Sequence, residues 1–484
     1  MLERYLKIID LERDINLFFD RVRDSLRRSA MFKHLLWLGL LLSAATASGT
    51  ESLVVHSRAE EFSLHNGLRV IVQVDHRAPV VVVQVWYKVG GSYELDGATG
   101  VSHALEHMMF KRTRHLVTGE YSKRIAASGG QENAFTTADY TTYYEERAAG
   151  DVDQALALEA ERMQSLELDP VEFANEIKVI REERRLRTED NAQAMAMEAI
   201  QAHTWQTSPY RQPVIGWSAD IAQMKLTELR RWYKRYYAPN NAILVVVGDV
   251  TVAAIKEMAQ THFGAMPAHK PVVLKTRPEV VQSGLKRLTI TSPKLRLPRL
   301  VMNYKVPGLT QVGKADPPVA AWEIYALYVL AATLDGGASA RFERELVRGQ
   351  EIALGANATY TGAARLPDLF TLEGEPREGI SLEQLEAALK AQLEAVQNTP
   401  PTAKELARIK TGVVADAVYQ QDSLFGQAMR IGGLAVIGLD WHLEEQYVAN
   451  IQAVTSAQVQ AVARKYFKDD SATIAYLTPG KAHE

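Results

Sequence analysis

Cysteine is absent from this 484-residue chain. That absence excludes disulfides, thiolate metal sites, cysteine nucleophiles and iron–sulfur clusters, so any metal centre must be built from His, Asp and Glu. There is no excess of one charge either: 55 Lys and Arg face 58 Asp and Glu, a formal net charge of −3. No global positive field exists to draw in a nucleic acid, and no nucleic-acid partner is expected. Long hydrophobic runs are missing too. The apolar stretch from Leu35 to Ala47 covers 13 positions, against the roughly 20 needed to cross a bilayer as a helix. What is present is average: 47% apolar, 23% charged and 8% aromatic residues, the composition of a globular protein that at this length folds as about two large domains.

The N-terminal region has a pattern of its own. Met31-Phe32-Lys33-His34 forms a short basic region, 35–42 an apolar one, and Ser43-Ala44-Ala45-Thr46-Ala47 supplies an A-x-A cleavage site. This reads as a secretory signal peptide starting at Met31, the competing reading being a buried core helix. Residues 1–30 then either precede the true start, or use Leu2, Leu6, Ile9, Phe18, Val22 and Leu26 in an amphipathic helix lying on a membrane or a partner. Export implies a mature chain beginning near Ser48, with no integral membrane span, in a bacterial periplasm or outside the cell.

Beyond residue 60 the pattern is mixed α+β. Strands are predicted at 68–74, after the turn pair Asn66-Gly67, and at 80–89, then helices at 101–111 and 121–127 and a strand-like stretch at 136–145. Helices follow at 151–168 and 170–187, then a strand at 242–247 and a helix at 252–263. Residues 264–284 hold Pro267, Pro271 and Pro278 without a sustained period and read as a linker. The same element types then recur: strands at 287–291 and 300–304, a helix at 320–334, strands at 352–360 and 369–372, helices between 382 and 467, and a strand at 472–477. The expected organisation is a leader and signal peptide at 1–47, an N-terminal metal-binding domain at 51–266, a linker at 267–284 and a related, metal-free C-terminal domain at 285–484.

Chemistry concentrates in two short strings. His103-Ala104-Leu105-Glu106-His107 lies in a helical stretch, so His103 and His107 share one face at i and i+4, where two imidazoles can hold one metal ion. Glu106, at i+3 from His103, faces the same side and is placed to act on a metal-bound water. Taken alone, the string is equally compatible with incidental polar residues on a helix. The second string, Asn175 to Arg184, puts Glu176 and Glu183 two turns apart on one helical face. A Glu-rich helix is ordinarily a solvated face laced with i,i+4 pairs. Here Glu183 follows His107 by 76 positions (183 − 107).

These residues and spacings resemble the inverted-motif zinc peptidases, the family of pitrilysin, insulin-degrading enzyme and the β subunit of mitochondrial processing peptidase. His103, Glu106, His107, Glu176 and Glu183 match its motif position by position, and the likeness runs from about Glu60 to Pro479. The resemblance implies an α+β fold of two duplicated α/β-sandwich-like domains forming a clam-shaped half chamber. It implies one Zn2+ per chain held by His103, His107 and Glu183, with Glu106 as the base that moves the proton of the attacking water to the leaving amine and Glu176 in support. It further implies that Asn133, Ala134 and Phe135, in the stretch 131–136, form a substrate-binding edge strand that pairs with an extended peptide. From sequence alone a covered sheet edge is an equal reading of that stretch.

One departure stands out. Relatives with a complete second domain carry an Arg and, seven residues on, a Tyr that bind substrate; aligned on Ile352-Ala353, those positions here are Val347 and Leu354. Arg348 is one residue out of phase and Tyr360 six too late. The resemblance therefore implies the half-length, two-subunit branch, in which a metal-bearing zinc endopeptidase subunit borrows Arg and Tyr from a metal-less homologous partner. The alternative is a non-catalytic structural, assembly or peptide-binding subunit of the same fold.

Overall fold

The computed structural model describes residues 59–274, 278–314 and 317–480; the expected signal peptide and residues 1–30 lie outside them. The first half contributes β1 (Ala59–Ser63), β2 (Arg69–Val74), β3 (Val80–Tyr87), α1 (Val101–Met108), α2 (Glu120–Ala127), β4 (Gln131–Thr136) and β5 (Thr141–Ala148). It continues with α3 (Val152–Ser165), α4 (Pro170–Arg184), α5 (Ala192–Thr204), α6 (Ser218–Gln223), α7 (Leu226–Tyr236), β6 (Ala242–Gly248) and α8 (Val252–Phe263). The second half runs through β7 (Lys286–Ser292), β8 (Arg299–Val306), α9 (Ala321–Asp335), β9 (Ala353–Thr359), β10 (Asp368–Pro376), α10 (Leu382–Asn398), α11 (Ala403–Gln420), α12 (Leu424–Val436), α13 (Leu443–Ala453), α14 (Ser456–Tyr466) and β11 (Ala472–Pro479). No helix among the described residues is long and apolar enough to cross a membrane.

The duplication is visible in the strand order. The first sheet is β1-β2-β6-β3-β5-β4 and the second β7-β11-β8-β10-β9. Without the extra hairpin strand β1 the two are the same: β2 lies parallel to β6 as β7 does to β11, and every other neighbouring pair is antiparallel. A parallel pair in each sheet requires the long helical crossover that both halves contain. The central strand β6, Ala-Ile-Leu-Val-Val-Val-Gly, is buried on both faces, which is why it reads as a continuous apolar run.

The buried second face of each sheet comes from an exchange. One face of the first sheet packs on its own helices, but Ile71, Val82, Trp86, Ile243, Val245 and Val247 on the other pack on α12 and Trp441 of the second half. In return Ala196 and Ile200 of α5 cover Val301, Ala475 and Leu477 of the second sheet. The two halves are thus locked by helices that each lends the other. Between them, the described residues of 267–284 form no helix or strand. Glu279 nevertheless ties both sides together, accepting from the backbone amides of Gln206, Thr207 and Ser208 and from Lys305 Nζ at 2.5 Å.

Two local predictions need correction. The single strand read at 136–145 is interrupted by a turn, because Thr137 Oγ1 accepts from the amides of Asp139 and Tyr140, both at 3.1 Å, and folds the chain back after β4. The helix read to 187 is α-helical only to Arg184 and continues as a π-turn over Arg185–Glu189.

Candidate metal centre

The helix α1 starts where a left-handed residue and an external cap coincide. Gly100, the N-cap, has φ 85°, and a Cβ there would lie 2.4 Å from the Ile215 carbonyl oxygen, so only glycine fits. Both carboxylate oxygens of Glu94 accept from the first amides, of Gly100 and Ser102, each at 2.7 Å. Val101, Ala104, Leu105 and Met108 then anchor one side of the helix in the core, and the opposite side carries His103, Glu106 and His107. The partner helix α4 is capped by Asp169, whose side chain accepts from the Val171 and Glu172 amides, with Pro170 at the first helical position. Its buried residues Ile180 and Glu183 face inward, and Glu176 and Glu183 point to α1.

His103, His107 and Glu183 each offer one ligand atom, all within 4.8 Å of one another, and no other such group of three occurs among the described residues. His103 Nε2 lies 3.8 Å from Glu183 Oε1 and His107 Nε2 3.3 Å from Glu183 Oε2. One further buried atom, His103 Nδ1, has no hydrogen-bond partner. Two imidazoles and a carboxylate converging in a largely buried site fit a zinc ion. Glu176 Oε2 contacts His107 Nδ1 at 3.2 Å, and Lys111 Nζ holds the other oxygen of Glu176 at 2.6 Å. Arg187 lies 2.8 Å from Glu183 Oε1. Glu106 is buried and accepts from Thr136 Oγ1 at 2.5 Å.

The electrostatics divide the two imidazoles. Burial drives His103 down to about 4, so it is neutral and ready to ligate. Burial opposes the charge on His107 as well, but the contacts with Glu176 and Glu183 outweigh it and raise the group to about 10. Burial likewise works against the Glu183 carboxylate, and His107, His103 and Arg187 together hold it down at about 2. A metal held here would take the place of the proton on His107.

The stretch expected to bind peptide is β4, an edge strand paired only with β5. Asn133 turns its Oδ1 onto the Ala134 amide at 2.8 Å, and the Phe135 ring lies 6.1 Å from that of Tyr140. The last residue of β4, Thr136, is the one bonded to Glu106, so the strand and that carboxylate are physically joined. In the second half, the helix equivalent to α1 is α9, whose largely buried sequence carries no histidine. Val347 packs on the second core, Leu354 is exposed on β9, and Tyr360 is buried with its hydroxyl donating to the Pro307 carbonyl at 2.6 Å. Arg348 donates to the Ala338 carbonyl. Sequence reading missed Glu94, Lys111, Thr136 and Arg187. Only Arg187 and Lys111 had a signal, a charge one turn from a site residue, and that signal is shared with ordinary surface pairs.

Comparison with known proteins follows the same outline. The family model described as insulinase (peptidase family M16) matches residues 69–217, and the one described as peptidase M16 inactive domain matches residues 223–413. The chain is similar to the zinc protease PqqE of Helicobacter pylori, 30% identical over 464 residues that span 92% of this chain and 99% of that one. The crystal structure of a protease from Helicobacter pylori superposes with a TM-score of 0.80 at 29% identity, covering 88% of this chain and all of that one. The periplasmic protease PqqL from Escherichia coli shares the fold, with a TM-score of 0.72 at 19% identity over 87% of this chain and 48% of that chain.

Proposed function

This chain belongs to peptidase family M16, and from that premise we propose that it is a zinc-dependent endopeptidase acting on peptides or unfolded segments, as the metal-bearing subunit of a heterodimer. The observation that carries the reading is the convergence of His103, His107 and Glu183 within 4.8 Å beside the buried carboxylate of Glu106. Zinc, when bound, supplies Lewis acidity for the scissile carbonyl and the attacking water. The chain's residues do the rest. Glu106 accepts the water's proton and returns it to the leaving amine nitrogen, a transfer worth about 10²–10⁴ in rate. Thr136 Oγ1 donates to Glu106 Oε2 at 2.5 Å and so orients that carboxylate. Glu176 orients the His107 ring through Nδ1, and Lys111 holds the other oxygen of Glu176. An extended peptide added to the free edge of β4 at Asn133, Ala134 and Phe135 would bind through backbone groups, which favours broad sequence tolerance.

The heterodimer rests on what the second half lacks. Val347 and Leu354 offer no hydrogen-bond donor, and the nearby candidates Arg348 and Tyr360 are engaged elsewhere. A missing oxyanion donor typically costs about a hundred- to a thousandfold in rate. The isolated chain is therefore expected to be slow, and a metal-less homologue bearing the Arg and Tyr to restore turnover. The periplasm is the proposed compartment, in keeping with the sequence at 31–47 and the periplasmic PqqL neighbour. The test is cleavage of a mixed peptide library, read by mass spectrometry, with the chain alone and with such a homologue. Internal cuts that stop with chelator and return with zinc support the reading. A zinc-loaded pair that cuts nothing rules it out and favours the non-catalytic subunit, while full activity of the chain alone rules out the borrowing.

A further inference from the structure

Neither the H-x-x-E-H string nor the downstream glutamates point to Arg187, yet its guanidinium meets Glu183 Oε1 at 2.8 Å. The backbone explains how it gets there. After Arg184 the chain leaves the α-helical repeat for a π-turn, Arg185–Glu189, with the Asp190 amide donating to the Arg185 carbonyl at 2.7 Å. Such turns insert one residue into the helical repeat and re-aim the side chains around it, frequently at functional sites. Two arginines lock this one. Arg184 is buried and donates to both oxygens of Glu198, at 2.9 and 2.8 Å, and to the Gly216 carbonyl at 2.8 Å; Arg185 pairs with Glu182 and Asp190. With Arg184 and Arg185 held by these partners, Arg187 returns along the helix to Glu183.

We propose that Arg187 is a positioning residue of the metal centre: by holding Oε1 of Glu183 it leaves Oε2 as the oxygen offered beside the imidazoles, and so sets how tightly the site retains zinc. This rests on the zinc reading given above. The terminal torsion of a glutamate is broad and nearly two-fold, so an unheld carboxylate presents either oxygen. Arg187 removes that degeneracy: with Oε1 held, Oε2 is the oxygen turned to the imidazoles, 3.3 Å from His107 Nε2. The second acid of the site is treated alike: Lys111 takes one oxygen of Glu176 and the other meets His107. An ordinary i,i+4 surface pair would do none of this; it sits in water and adds little, whereas here the Glu183 side chain is only 9% exposed.

The experiment measures the zinc dissociation constant of the full chain by competition with a chromophoric chelator, together with the melting midpoint of the metal-free chain. The proteins compared are the unaltered chain, Arg187→Met, Arg187→Gln and Arg187→Lys. Losing a group that orients a ligand typically costs about 10–100-fold in metal affinity, and that loss is expected for Arg187→Met and Arg187→Gln; either suffices if the other does not fold. The metal-free melting midpoint separates lost zinc affinity from lost fold: a variant counts only if its metal-free chain still melts in one cooperative transition. Arg187→Lys should recover part of the affinity, since it keeps the charge but not the planar fork. Unchanged or tighter zinc binding in the neutral variants overturns the proposal while leaving the zinc reading intact. An unaltered chain that binds no zinc overturns both.

Discussion

The exchange of helices between the halves is tested most sharply at two adjacent glycines of α12. Gly432 lies against Trp86 of the first sheet: a Cβ there would come within 2.2 Å of Cε2 and 2.3 Å of Nε1. Ordinary carbon contacts are about 3.5–4.0 Å, so the helix or the indole must shift by more than 1 Å, roughly the difference between those two separations. Trp86 has nowhere to go. It is fully buried, its Nε1 is bonded to Gln84 Oε1 at 3.0 Å, and Tyr140 leans on its ring with centroids 4.9 Å apart. Overpacking of this kind costs about 1–3 kcal/mol, and breaking the Trp86–Gln84 bond adds about 1 kcal/mol. Alanine's helix propensity offsets about 1 kcal/mol, so Gly432→Ala should destabilise by roughly 1–3 kcal/mol net. Gly433, next along the helix, has nothing within 4 Å of its virtual Cβ. Gly433→Ala should therefore be neutral or stabilising by up to about 1 kcal/mol. Urea denaturation of both variants beside the parent decides it. Equal effects, of either sign, would refute the packing of α12 on Trp86 as the origin of the interlock.

Three more outcomes follow from the same contacts. Glu183→Gln should weaken zinc binding by at least about 100-fold, because an anionic ligand becomes a neutral amide, while Glu106→Gln keeps the metal and loses cleavage; chelator competition on both distinguishes ligand from base, and the reverse pattern would exchange their roles. Asp139→Ala should cost about 3 kcal/mol in denaturant titration, since the buried carboxylate accepts from Ser92 Oγ, Tyr210 and the Arg365 amide and pairs with the Arg365 guanidinium, clasping the two halves beside β4. Although burial opposes it, Glu279 is held at about 2 by Lys305 and three backbone amides, against an ordinary value of 4.5. A depressed carboxylate stabilises above its unfolded value, so its contribution is present above about pH 4.5 and is lost as the pH falls toward 2; Glu279→Gln should flatten the pH dependence of stability in that window relative to the parent.

How much of this was legible depended on the range of the interaction. The pairing of His103 with His107 and of Glu176 with Glu183 follows from helix geometry, a local repeat, and could be read directly. So could β6 and α8, whose apolar runs and caps are continuous in the chain. What holds each of these side chains in place could not. Thr136 reaches Glu106 across 30 positions and from a strand to a helix, and in the sequence it is one threonine among several. Arg187 looked like any charge one turn from a glutamate, because neither the burial of Glu183 nor the π-turn has a one-dimensional signature. The duplication was weakly visible for a related reason. The two halves share strand order, which pairing alone reveals, while α1 and α9 hold the same topological place with unlike side chains. The helix exchange was hidden altogether: nothing in the sequences of α5 and α12 says which half they serve.

Everything proposed for this chain requires that His103, His107 and Glu183 hold a zinc ion for peptide-bond hydrolysis. Elemental analysis of the purified full chain, beside a His103→Ala/His107→Ala double variant with an unaltered circular dichroism spectrum, tests it most directly. One zinc ion per parent chain and none retained by the double variant is the result predicted. A parent chain that takes up no zinc from zinc-replete buffer, or a double variant that retains as much as the parent, would contradict it.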